Sequence, residues 1–159
     1  MADLLGDGNV KVTFCTTLSN ISSPPAAELN GGVDLQHVIT KDGLAIEPEQ
    51  AAVDNTSLAS RDETEDAGTV KYSLELTIKR QDSEATDVGW TTLTDRKLGY
   101  LVVRRHRPHE DPYQAGDPVE VYPVRCGRPR MQPPALNTAQ TFIVKLFNHT
   151  APDPMATVA

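Results

Sequence analysis

The stretch LVVRRHRPHED, from Leu101 to Asp111, carries the residue types most suggestive of chemistry. His106 and His109 lie three apart and are followed by Glu110 and Asp111. Imidazole and carboxylate are the groups that ligate zinc or move protons. A metal site, however, needs ligands on rigid elements with a supporting outer shell. The two histidines straddle Pro108, which removes a backbone donor and breaks the helical spacing. Pro112, Gly116 and Pro118 follow, all turn or breaker residues. Nothing elsewhere in the sequence supplies an obvious third ligand. The segment therefore reads first as a solvated, locally salt-bridged loop joining two strands. It reads second as an intersubunit contact, in which Arg104, Arg105 and Arg107 meet acidic partners such as the RDETED run of another copy. A small metal-binding site at His106–Asp111 comes last.

Other catalytic patterns are absent. The sequence has no GxSxG, no phosphate-cradling GxxxxGK[ST] and no HExxH. A Ser/His/Asp triad assembles only in three dimensions, so the presence of its parts decides nothing. Cys15 and Cys126 have no CxxC spacing and no companion histidine. They read as small buried hydrophobes kept reduced rather than as a metal or disulfide pair. The expectation is a protein without enzymatic activity, cofactor or bound metal.

The elements that position these residues are mostly strands. VKVTFCT, Val10 to Thr16, alternates apolar and polar, as a half-buried strand does. SSPPAAELN predicts a short helical turn entered through proline and stopped by Asn30, Gly31 and Gly32. Asp34 to Thr40 predicts a strand. The clearest signal is TVKYSLELTIKR, Thr69 to Arg80. Val70, Tyr72, Leu74, Leu76 and Ile78 point one way, and Lys71, Ser73, Glu75, Thr77 and Lys79 the other. DSEATDVGWTTLTDRKLG predicts the main helix, with Asp82 or Asp87 as N-cap and Trp90 as a packing anchor. YLVVR, PVEVYPVRC and TFIVKLF are three further strands.

Residues 41–68 break this rhythm. Periodicity is weak and charge is high, so the reading is a long loop or arm over 42–68, either solvated or ordered against another subunit. Its candidate contact residues are Asp54, Arg61, Asp62, Glu63, Glu65 and Asp66. The tail 150–159 is expected to be extended and to lie on a neighbour.

The 159 residues favour one domain, 1–159. The fold class is mainly β: an antiparallel sandwich or part-barrel with one packed helix and a long extended loop. A net charge of −7 argues against gripping nucleic acid, which takes a surplus of Lys and Arg. MADLLGDGNV lacks the basic start of a signal peptide. No apolar run approaches the roughly 20 residues of a membrane span. A soluble protein made in a cytoplasm is expected.

The order of these segments resembles the tail tube proteins (major tail proteins) of phages with long non-contractile tails, the lambda-like family. The likeness rests on SSPPAAELNGGVDL, the long strand Val70–Ile78, Trp90 to GYLVVRR, AGDPVEVYPV and NTAQTFIV, and covers roughly residues 8–148. The RRHRPHED loop has no counterpart in that pattern. The resemblance implies hexameric rings stacked into a hollow tube, with strands completing an intersubunit barrel and the 42–68 arm reaching the adjacent ring. It implies self-association, tape-measure and tail terminator proteins as partners, no membrane, and DNA passing through the lumen without specific binding. It places the protein in the virion tail after assembly in the host cytoplasm. The rival readings are another β-rich virion protein, a tail terminator or head decoration protein, and the small metal-binding domain.

Overall fold

The computed structural model describes residues 1–159. In chain order the elements are β1 (Lys11–Cys15), α1 (Ala26–Asn30), β2 (Val33–Asp34), β3 (Ile39–Asp54), β4 (Glu65–Lys79), α2 (Val88–Thr92), β5 (Leu98–Arg104), β6 (Pro118–Cys126), β7 (Arg130–Met131), β8 (Thr141–Asn148) and β9 (Asp153–Thr157). The fold is mainly β, as expected: one antiparallel nine-stranded sheet in the order β2-β1-β5-β6-β8-β4-β3, with β7 added to β8 and β9 to β6.

The sheet curls into a part-barrel without closing. Its two end strands, β2 and β3, are consecutive in the chain. The link between them crosses the gap: the Leu35 amide donates to Val12 O at 2.8 Å, and the Lys79 amide donates to Val38 O at 2.7 Å. Inside lie Phe14, Leu74, Leu76, Ile78, Leu101, Phe142, Val144 and Leu146, all almost fully buried. Each such aliphatic side chain contributes about 1.5–3 kcal/mol relative to exposure. A second, smaller core forms on the other face of β1, β5 and β6. There Leu29 of α1 packs with Val102, Tyr113, Val121, Ala156 and Val158. This explains why β1 is buried at every position: it has apolar cover on both sides.

Several expectations change in detail. The predicted strand Asp34–Thr40 splits into β2, a turn at Gln36–Val38 and the start of β3. The predicted main helix shrinks to the five residues of α2, one of two short helices. Gly89 and a run of threonines are poor helix formers, and Asp87 spends its carboxylate on Arg80 rather than on the helix end. Trp90 is the expected anchor: its ring meets Phe142 edge-on at 5.1 Å, and the Arg80 guanidinium lies 4.1 Å from its centre. The tail is extended but lies on its own subunit. It forms β9 beside β6, and the Ala159 amide donates to Pro24 O.

The helical turn entered through proline is found as α1, with Pro25 at its N-cap and Leu29 fully buried. Gly32 is fixed there by close approach: a Cβ at that position would stand 2.6 Å from Thr13 Cγ2 and 2.7 Å from Cys15 Sγ.

Candidate assembly surface

The segment expected to be a loop, 42–68, is mostly hairpin. β3 runs unbroken to Asp54, turns, and returns as β4 from Glu65. The two strands pair from Ile46↔Leu74 outward through Pro48↔Tyr72 and Gln50↔Val70 to Asp54↔Glu65. β8 accompanies β4 only from Leu74 to Lys79. Beyond Ser73 the hairpin is therefore a two-stranded ribbon, and no residue from 47 to 71 is buried. Between Gln50 and Ala52 the ladder slips by one residue. Gly68 sits at that bulge, where a Cβ would meet Ala51 O at 2.7 Å.

The tip is ordered by its own polar groups. The Thr56 amide donates to Asp54 Oδ1 at 2.9 Å, the Thr64 amide to Thr56 Oγ1 at 2.9 Å, and the Thr64 hydroxyl to Asn55 Oδ1 at 2.6 Å. The hydrogen bonds from Thr56 hold the Asp54 carboxyl below its ordinary pKa. Asp54, Arg61, Asp62, Glu63, Glu65 and Asp66 all lie exposed on this ribbon. Residues 47–73 hold seven carboxylates against Arg61 and Lys71, a net −5 out of the chain's −7.

The five residues of the long strand divide. Leu74, Leu76 and Ile78 are core, Tyr72 is half-buried against Tyr122, and Val70 stands on the ribbon at 46% exposure. β3 is the end strand of the sheet over its whole 16 residues, so one side of its backbone has no ladder partner. An end strand of that length is a ready template for another chain. An isolated two-stranded ribbon is marginal in water unless something covers it.

The RRHRPHED loop is built around one buried cation. Arg104 ends β5 on the face that carries Val102 and is wholly buried. Its guanidinium donates to the carbonyls of Pro108, Asp111 and Pro112 at 2.8–2.9 Å and to Asp117 Oδ2 at 3.3 Å. Asp117 is itself 2% exposed and also meets Arg107 at 3.2 Å and His106 at 3.5 Å. The Tyr113 ring lies beside Arg104 at 5.1 Å, and its hydroxyl donates to Thr13 at 2.9 Å. Burial pushes the Tyr113 phenol well above its usual range. Arg105 pairs with Glu120 across the strands, and Arg107 also donates to Gln114 at 2.6 Å.

The three arginines expected at a subunit contact are thus engaged within their own chain, and Arg104 has no exposed surface to offer. The histidines do not converge either. His106 turns to Asp117, while His109 sits edge-on to His37 at 4.9 Å and 3.4 Å from Glu110. No three His, Cys, Asp or Glu side chains gather in a group able to hold a metal. Cys15 and Cys126 are free, buried in separate cores, and burial raises each thiol to about 11.

A family model described as phage tail tube protein matches residues 1–159, the whole chain. The chain belongs to the phage tail tube protein family. Membership makes it a structural protein of the phage tail. Among solved structures, it is similar to a chain in the cryo-EM structure of the anti-feeding prophage (AFP) baseplate, six-fold symmetrised. The identity is 15%, with 94% of this chain and 95% of that chain covered and a TM-score of 0.52. At that identity the likeness concerns the fold. No curated protein matches the chain. No helix is long and apolar enough to cross a membrane.

Two features of this tail tube protein escaped the sequence. Asp117, the buried partner of Arg104, is one acid among 22, and only its place after Gly116 in a turn hints at a role. The second is an exposed basic face on β6, β8 and the approach to β5, whose residues are scattered from Arg96 to Lys145. The sheet ladders bring them together.

Proposed function

We propose that this chain self-associates into rings, hexameric as in the lambda-like long non-contractile tails it resembles, which stack into the tube through which DNA is ejected. One observation carries the reading: in a chain of the tail tube family, the long end strand β3 and its solvated ribbon find no partner within the subunit. Neighbouring copies that pair along such edges would complete a barrel and remove them. The ribbon, projecting beyond the domain, is the segment suited to reach an adjacent ring. Tape-measure and tail terminator proteins are the further partners this role requires. The chain's negative charge favours passage of DNA over binding it.

Negative-stain microscopy of the purified protein tests this directly. Rings and tubes of uniform bore are the expected result. Rings that never stack would point to a terminator, and a monomer at high concentration would overturn the proposal.

A further inference from the structure

The acidic ribbon has no basic partner in its own subunit, and the arginines nearest in sequence character are already engaged. A different surface carries free positive charge. Arg125 on β6 stands between Leu98 of β5 and Phe147 of β8 in the ladder, and all three are exposed. Lys145, two residues along β8, is exposed on the same face with its ammonium 5.4 Å from the Phe147 ring. The Cys126 amide donates to Lys97 O, the Arg96 amide to Cys126 O, and the Gly127 amide to Lys145 O. These bonds draw Arg96, Lys97 and Arg128 to the same region. β7 brings Arg130 alongside Ile143.

Six cations stand here against two acids: Asp95, 3.6 Å from Arg128, and Glu75, opposite Lys145. Arg96 is held at φ 64°, a left-handed conformation that glycine or asparagine adopts more readily. Exposed Leu98 (45%) and Phe147 (53%) add apolar surface between the charges.

Lys145 and the Arg130↔Ile143 pair lie on the far side of the Leu74↔Leu146 rung from the ribbon, while Arg125 and Phe147 lie on its near side. Glu49, Val70 and Lys71 at the ribbon's base line one cleft with Lys145 and Phe147. The acidic tip, Asp54 to Asp66, stands farther out, where the β3–β4 ladder holds the ribbon extended and keeps it from folding back onto this face. A second copy can present its ribbon to the basic face in a head-to-tail contact, which repeats without end.

We infer that the basic face formed by Arg96, Lys97, Arg125, Arg128 and Lys145 is the dock for the acidic ribbon of another copy of this chain. The inference rests on the self-assembly reading above and names the two surfaces it would use. The occupant is a second copy because the chain itself supplies the complementary partner, seven carboxylates on a projecting hairpin. Opposed charges of this kind set register and partner choice more than bulk affinity. Leu98 and Phe147 give the ribbon's exposed Val53 apolar ground to meet.

The test is assembly of the full chain and of the double variant Arg125→Glu/Lys145→Glu. Both positions are exposed, so circular dichroism and melting should match the wild type. The variant should raise the protein concentration needed for half-assembly at least about tenfold. Reversing ribbon charges in the same chain, with Glu63→Lys and Glu65→Lys, should restore stacking. Carbodiimide coupling of wild-type tubes, mixed from isotopically light and heavy copies, should join ribbon carboxylates of one copy to Lys97 or Lys145 of another. If the folded variant stacks at the wild-type concentration, the dock is overturned while self-assembly stands. If the wild type remains monomeric at every salt concentration, both readings fall.

Discussion

The Arg104 guanidinium and the Asp117 carboxylate meet at 3.3 Å with neither side chain in contact with solvent. Buried charges are costly unless every donor and acceptor is used. Here three loop carbonyls and a second cation, Arg107, supplement the pair, Arg104 Nε alone is left without a partner, and the 105–117 loop is shaped around the guanidinium. Arg104→Met should therefore destabilise the fold by about 3–5 kcal/mol, because it removes the buried partner of Asp117 and leaves three loop carbonyls without their donor. Arg105→Ala should cost less than about 1 kcal/mol, since its pair with Glu120 lies at the surface with the Arg105 side chain about half exposed. Urea unfolding followed by fluorescence distinguishes the two. A mild effect at Arg104 would show that the loop holds its shape without the cation.

The long strand makes a graded prediction. Leu74→Asp puts a charge into the core at a position 1% exposed and should prevent folding. Val70→Asp, four residues away on the same strand, sits on the ribbon and should leave the melting temperature almost unchanged. Solubility and circular dichroism read both. A folded Leu74→Asp chain would mean that the core tolerates what its packing forbids.

Shortening the ribbon should separate folding from stacking. The cut must spare Leu44, Ile46 and Tyr72, which pack against the core. Replacing residues 49–70 by a short turn should give a stable subunit that forms no tubes under the microscope. Long tubes from that variant would exclude the ribbon from inter-ring contact.

The thiols give a pH prediction. Burial raises both cysteines to about 11 in the folded chain, against an ordinary value near 9. An unfolded chain thus loses these protons first, and between pH 9 and 11 it binds fewer protons than the native one. The stability they contribute is fully present below pH 9 and declines as pH rises toward 11. Native protein at pH 8 should show no thiol reactive toward a disulfide dye, and two after denaturation. Fast reaction of the native protein would mean that a core opens readily.

What could be read from the sequence followed from burial. β1, β4, β5, β6 and β8 each have at least one apolar face, so alternation or an apolar run marked them. β3 has none over its outer half: residues 47–54 are all exposed, and a strand with no buried face writes no period-two signal. It therefore looked like a loop. The buried Arg104 was hidden for a related reason. Its position continues the row of Tyr100 and Val102, but an arginine there looks like a strand end at the surface. Only the fold reveals that the loop's own carbonyls solvate it. The tail APDPMATVA reads as extended, yet nothing in it says which β-edge it will join, and β6 of its own chain supplies one.

The confinement of net charge to the projecting hairpin has a kinetic consequence. Five of seven net charges sit on one protrusion and most free cations on the body, so each molecule is an electric dipole despite an unremarkable isoelectric point. Within a Debye length, about 8 Å at physiological ionic strength, approaching molecules feel a torque before they touch. The growth rate of a filament built this way should fall as salt is added, and every subunit should arrive already facing the same direction.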